Sequence, residues 1–243
     1  MGLILLVAGL SVVAVEVVEP AGAQPGPGPT PGGTEGRTRY ESDCAVCHGD
    51  SGRGSSRGPS LVNVGAASLD FWLSTGRMPL ASPSETPQRR APAYRAATIR
   101  NLIAYIQYLT GPGGPPIPHV QLTGADLAAG GVFFRLQCAA CHSWAGEGGA
   151  LVSRAAPPTN QATPTQIVEA IRIGPGAMPR FGQAALTDSE AKNVVAYVRY
   201  LAHPIDRGGD PLGRIGPLAE GAAALVIGLG LLALASRWIG TRG

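Results

Sequence analysis

The sequence predicts a mainly α-helical chain in which two copies of one unit stand in tandem between two apolar segments. Three observations carry that expectation. The four cysteines of the 243 residues fall in two copies of one pentapeptide, Cys44-Ala45-Val46-Cys47-His48 and Cys138-Ala139-Ala140-Cys141-His142. Each copy is followed by a stretch with apolar residues at helical spacing: Ile99, Leu102, Ile103, Ile106 and Leu109, then Val194, Val195, Val198 and Leu201. The first cysteine and the closing leucine are 65 residues apart in the first copy and 63 in the second, the self-similarity of a duplicated unit.

Taken in order, residues 2–18 are apolar apart from Ser11 and Glu16, about long enough for a bilayer span or for the apolar part of a secretory signal. Ala21-Gly22-Ala23 resembles a small-residue cleavage site. Signal and anchor both stay open, and either one exports the modules that come after it in the chain. Residues 19–36 read as a Pro/Gly-rich tether. The first module is placed at 37–110 and the second at 121–205, joined at 111–120 by the stiff run Pro115-Pro116-Ile117-Pro118. Pro112 and Pro204 stop the two closing helices, and Thr187 with Glu190 three residues on forms a capping box at the start of the second. A linker at 206–217 leads to a transmembrane helix at 218–239. Glu220 and Arg237 are the charges in this run, and Arg237 with Arg242 indicates a cytoplasmic C-terminus, so the modules face outside.

Cys-x-x-Cys-His is the attachment pattern of c-type haem: two thiols add to the vinyl groups of one porphyrin, and the adjacent histidine takes the iron. Two covalently bound haem c groups are therefore expected, on Cys44 and Cys47 and on Cys138 and Cys141. A split zinc site does not need a histidine after each pair, and a thioredoxin-like redox pair calls for one such motif on a strand-to-helix turn. Besides Met1 the chain has two methionines, in matching contexts: Gly76-Arg77-Met78-Pro79 and Gly176-Ala177-Met178-Pro179. A proline after each denies the backbone a helical continuation and gives a loop that can aim sulfur at a metal. Core filling is the ordinary use of methionine, but it does not explain this twofold placement. His48 with Met78 and His142 with Met178 are the expected axial pairs, a ligation that raises the potential and suits electron transfer. His119, in the Pro-rich run, and His203, after a helix end, read as surface residues. Bis-histidine ligation would leave both Met-Pro loops unexplained.

Residues 37–110 hold nine arginines against five acids, and 119–205 six bases against five acids, so the first module is the more basic and could meet an acidic redox partner. Nothing resembles a nucleic-acid motif. No carboxylate pair or nucleophile–base set points to bond-making chemistry on a substrate. A dihaem peroxidase needs an exchangeable iron position, which two Met-Pro loops argue against, and a haem-based sensor needs an output domain that one span after residue 205 does not supply.

The order of segments, together with Ser74-Thr75-Gly76-Arg77-Met78-Pro79, Phe134-Arg135-Leu136-Gln137 before the second pentapeptide, Gly146-Glu147-Gly148-Gly149-Ala150-Leu151, and Gly216-Pro217-Leu218-Ala219-Glu220-Gly221 leading to Trp238-Ile239-Gly240, resembles the dihaem cytochrome c subunit of actinobacterial menaquinol–cytochrome c reductase. The resemblance covers nearly the whole chain. It implies two tandem class I cytochrome c domains, haem attachment at the four cysteines and iron ligation by His48, Met78, His142 and Met178. It also implies a place in the membrane beside a cytochrome b subunit and a Rieske iron–sulfur subunit, with electrons passed to a cytochrome aa3 oxidase, often within a supercomplex. Catalysis would then belong to the assembled quinol reductase. The departure from the family is that no basic residue precedes the N-terminal apolar stretch. A free-standing membrane-anchored dihaem carrier is the alternative.

Modules of this length bury a marginal core, and aromatics are 5% of the chain. A porphyrin is therefore expected to complete each core. Replacing Cys44, Cys47, Cys138 and Cys141 with alanine should abolish much of the far-UV helical circular dichroism, and full retention of helicity would refute this.

Overall fold

A computed structural model describes residues 31–151, 154–204 and 217–241. The N-terminal apolar stretch, most of the tether and most of the second linker lie outside the described residues. The described chain is mainly helical: α1 (Gly33–Asp43), α2 (Ala45–His48), α3 (Ala66–Ser74) and α4 (Ala96–Thr110), then α5 (Leu127–Gln137), α6 (Ala139–His142), α7 (Pro164–Ile173) and α8 (Asp188–Ala202), and finally α9 (Pro217–Gly240). A small antiparallel hairpin, β1 (Gly149–Leu151) and β2 (Arg154–Ala156), pairs Gly149 with Ala156. The second set of four helices repeats the first, with the hairpin inserted between α6 and α7.

In each module the first long helix packs on the last: α1 on α4, and α5 on α8. The crossing points are glycines. A Cβ on Gly36 would fall 2.3 Å from the Asn101 carbonyl oxygen, and one on Gly130 would fall 2.0 Å from that of Asn193. Four residues along, Tyr40 and Phe134 are almost fully buried and meet Tyr105 and Tyr197, with ring centroids 5.7 and 5.6 Å apart at 53° and 51°. The two modules thus use one packing geometry, with offset ring pairs of the favourable kind. Composition places residues 33–36 in the tether, yet α1 begins at Gly33: Gly36 serves there as a contact between backbones rather than as a helix breaker.

The first core gathers Tyr40, Leu69, Leu73, Ile99, Leu102, Ile103 and Ile106, and the second Phe134, Ile167, Val168, Ile171, Leu186, Val194, Val195 and Val198. The apolar rows of α4 and α8 are thus the faces turned inward. Thr187 caps α8 in a capping box with Glu190, and Thr163 with Gln166 does the same for α7, with Pro164 at its first turn. The Pro-rich linker does not stand free. The amide of Ala67 donates to the Pro115 carbonyl at 3.1 Å, Ile117 packs on the first core, and Val120 packs on the second.

The last helix is of another kind. Its stretch Glu220–Gly240 is long and apolar enough to cross a membrane, and Leu225, Ile227, Leu231, Leu234 and Ile239 stand exposed along it. Such a surface has a favourable environment in lipid.

A side chain at Gly130 cannot be accommodated without moving α5 off α8. Gly130→Ala should lower stability by roughly 1–3 kcal/mol, the usual cost of overpacking. Gly182→Ala, at a position with nothing within 4 Å, should be near neutral. Denaturant unfolding of the two variants checks the difference.

Candidate functional site

Both pentapeptides occupy the same structural position. The first cysteine ends a long helix as its C-cap, with φ −119° and ψ −40° at Cys44 and φ −114° and ψ −38° at Cys138. The rest of the motif then forms a short helix. The amide of His48 donates to the Cys44 carbonyl at 2.9 Å, and that of His142 to the Cys138 carbonyl at 2.9 Å. Residues three apart in such a turn are neighbours on one face, which is the spacing of each cysteine pair. Gly49, with φ 78°, and Ser143, with φ 63°, end the short helices. The histidine carbonyls then accept from Gly54 at 2.8 Å and from Gly148 at 2.9 Å, tying each turn to its loop.

The loops also orient the imidazoles. His48 Nδ1 lies 2.7 Å from the Pro59 carbonyl oxygen, and His142 Nδ1 lies 2.9 Å from that of Pro157. A carbonyl only accepts, so each Nδ1–H donates, and in the neutral imidazole Nε2 is the nitrogen with the lone pair. This fixes the tautomer and the ring plane, which is how an imidazole is presented to a metal. Neither Pro59 nor Pro157 stands out in the sequence. The signal is a proline 11 residues after the first histidine and 15 after the second, and the unequal spacing hides the correspondence.

The cysteines are half-buried. Burial, with lesser effects from Asp43 and Cys47, pushes the Cys44 thiol up to about 12, and burial, with Cys141, pushes Cys138 up to about 11. Redox-active dithiols have the opposite perturbation, a lowered thiol pKa. Cys44 and Met78 pack against the first core, and Cys138 and Met178 against the second. In each module the first cysteine and the methionine thus pack on the same core, and the histidine ends the short helix that the cysteine begins. Met178 is followed by Phe181, which meets Phe133 edge-on at 6.1 Å. His119 and His203 are exposed.

The modules differ beside the methionine. Arg77 lies with its guanidinium 4.9 Å from the centre of the Phe71 ring, and its Nη1 is buried without a hydrogen-bond partner. Burial, and then Arg89 beside it, hold its pKa below the ordinary arginine value. The second module has Ala177 at this place.

A family model for cytochrome c matches residues 33–110, and one for the cbb3-type cytochrome c oxidase subunit III matches residues 125–198. Among curated proteins, the cytochrome bc1 complex cytochrome c subunit of Corynebacterium diphtheriae is 34% identical over 227 residues, 86% of this chain and 80% of that protein. Those of Mycobacterium leprae and Mycobacterium tuberculosis (strain ATCC 25618 / H37Rv) are each 37% identical over 217 residues, 85% of this chain and 74% and 77% of theirs. The chain belongs to the family of cytochrome bc1 complex cytochrome c subunits.

A member of this family with two cytochrome c domains carries covalent haem c and serves respiratory electron transport as part of an oxidoreductase complex. The residues present fit that group. Each module offers two thiols one helical turn apart, an imidazole with its lone pair on Nε2, and a thioether at the wall of the same core. In the first module the unpartnered Arg77 nitrogen suits a carboxylate such as a haem propionate.

Gly58 sits against the first motif: a Cβ there would fall 2.9 Å from the Cys47 carbonyl oxygen and 3.1 Å from the Cys47 Cβ. Gly58→Val should push the Pro59 carbonyl away from His48. The intact mass of the purified chain should then show a large fraction lacking one haem, while full loading would contradict the role assigned to this loop.

Proposed function

We propose that this chain is the dihaem electron relay of a menaquinol-oxidising cytochrome bc1 complex, taking electrons from the Rieske iron–sulfur subunit and delivering them to a cytochrome aa3 oxidase. The observation that carries this reading is the twofold histidine arrangement, His48 on Pro59 and His142 on Pro157, each beside a cysteine pair and on the same module as one methionine. In this reading Cys44 and Cys47 hold one haem and Cys138 and Cys141 the other. His48 and Met78 would hold the first iron, and His142 and Met178 the second. When bound, haem c supplies one-electron exchange at iron.

The chain's own residues set the conditions of that exchange. The Pro59 and Pro157 carbonyls hold the imidazoles in one tautomer and make them better donors to a metal. The sulfurs of Met78 and Met178 would be soft ligands, of the kind that favours the reduced metal and raises its potential. The apolar walls from Leu69, Leu73 and Ile103, and from Ile167, Ile171 and Val195, exclude water, which lowers the reorganisation that accompanies a change of charge. In the first module Arg77 stands directly before the methionine, where the second has Ala177 before Met178 and Arg180 two residues after it. The modules, 37–110 and 121–205, lie on the extracytoplasmic side, held by the 218–239 helix with its C-terminus in the cytoplasm and beside a cytochrome b subunit.

Three measurements test this. The denatured chain should weigh two haems more than its polypeptide. Met78→Ala and Met178→Ala should each remove about half of the near-infrared methionine–iron band and lower the potential of one haem, and a band untouched by both would exclude these ligands. Extraction in mild detergent should recover the chain with a cytochrome b and a Rieske protein, and recovery alone would favour a free-standing carrier.

A further inference from the structure

The two modules meet through α3 and α7, and the contact holds both side-chain hydrogen bonds and a buried acid. Gln166 Nε2 donates to the Ser74 carbonyl at 3.3 Å and to Ser74 Oγ at 3.0 Å. Arg89 Nη2 donates to the Gln161 carbonyl at 2.7 Å and to Gln166 Oε1 at 3.0 Å. One turn of α7 beyond Gln166 stands Glu169, fully buried, with Asp70 of α3 acting on it from the other module. As two carboxylates these groups can only accept, and both Glu169 oxygens are then without a partner. A single proton turns the confrontation into a carboxyl–carboxylate hydrogen bond.

The surrounding charges do not neutralise Glu169. On α3 the charged residue is Asp70. Arg89 ends on Gln161 and Gln166, and Arg77 lies over Phe71. On α7 itself, Arg172 binds the Phe181 and Leu186 carbonyls and Asp188 at the start of α8. On α8, Glu190 binds Thr187, Lys192 reaches the Thr123 carbonyl, and Arg199 sits in the last turn.

We propose that Glu169 and Asp70 form a proton-held latch between the two modules, closed while the pair shares one proton and opened when that proton leaves to water. The latch does not depend on which residues ligate iron. Burial first, and Asp70 second, push Glu169 up to about 9, against an ordinary value of 4.5. The closed interface therefore binds a proton that the open one does not bind at neutral pH. Below the ordinary value both states hold the proton and pH has no effect. Between it and about 9 the closed state weakens as pH rises, by up to about tenfold per pH unit for one proton. Above about 9 the loss is complete and the dependence flattens.

The test measures the distance between modules on the haem-loaded full chain in detergent. Nitroxide labels go on cysteines introduced at Ser51 and Ser189, which are exposed positions on opposite modules, and double electron–electron resonance is recorded from pH 5 to 10. The native interface should give a single short distance at pH 5 and a growing longer population as pH rises. Glu169→Gln, an uncharged mimic of the protonated acid, should keep the short distance throughout. Asp70→Asn removes the like charge and should move the transition to lower pH. Identical, pH-independent distributions in the unmutated interface and in both variants would overturn the proposal, as would opening of Glu169→Gln along the unmutated curve. The haem absorption spectrum and mass of the same samples report separately on the haem sites, so failure of the latch and failure of the relay are distinguishable.

Discussion

Where α1 passes α4 the two backbones leave no room for a side chain, and the same is true where α5 passes α8. Gly36 and Gly130 are spaced identically from the first cysteine of their modules, and Asn101 and Asn193 receive them. This close crossing decides the direction in which each first helix ends. Since the first cysteine is the C-cap of that helix, the crossing also positions the pentapeptide relative to the apolar face of the closing helix, where Leu102, Ile103, Val194 and Val195 form the wall of the core. The Tyr40–Tyr105 and Phe134–Tyr197 pairs lock the crossing angle a turn further on. In each module one backbone contact thus places the pentapeptide.

The site itself is built by loops that the crossing brings round. A carbonyl from a proline-containing loop orients each histidine, and each methionine comes from a turn that closes after the third helix of its module. Loops carry chemistry well when a rigid scaffold positions them, and here the scaffold is a helix pair with almost fully buried aromatics. Copying the unit copies the scaffold, while the loops are left to diverge. The hairpin β1–β2 and the exchange of Arg77 for Ala177 are such divergences.

Duplication also creates a surface that a single unit lacks. The third helices of the two modules face each other, and the contact buries an acid that makes little sense within its own module. Charged groups are rarely left fully buried without a partner, so Glu169 has its rationale in Asp70 and in the second copy of the fold.

Much of this was legible from residue order. The pentapeptides, the Met-Pro turns, the apolar rows of α4 and α8, the Thr187–Glu190 capping box and the apolar run of α9 are local patterns, and local patterns survive without three-dimensional context because helix periodicity and capping are local physics. The resemblance to the family rests on such stretches as well. What only the tertiary structure decided are relations between distant residues. Gly36 reads as linker by composition and is a helix contact by packing. Pro59 and Pro157 are ordinary loop prolines until their carbonyls meet imidazoles 11 and 15 residues earlier. Nothing in residue order marks Glu169, and its burial appears only where α7 meets α3 of the other module. A one-dimensional pattern records which side chains share a face of one element. It does not record which carbonyl or which acid the chain brings to that face from elsewhere.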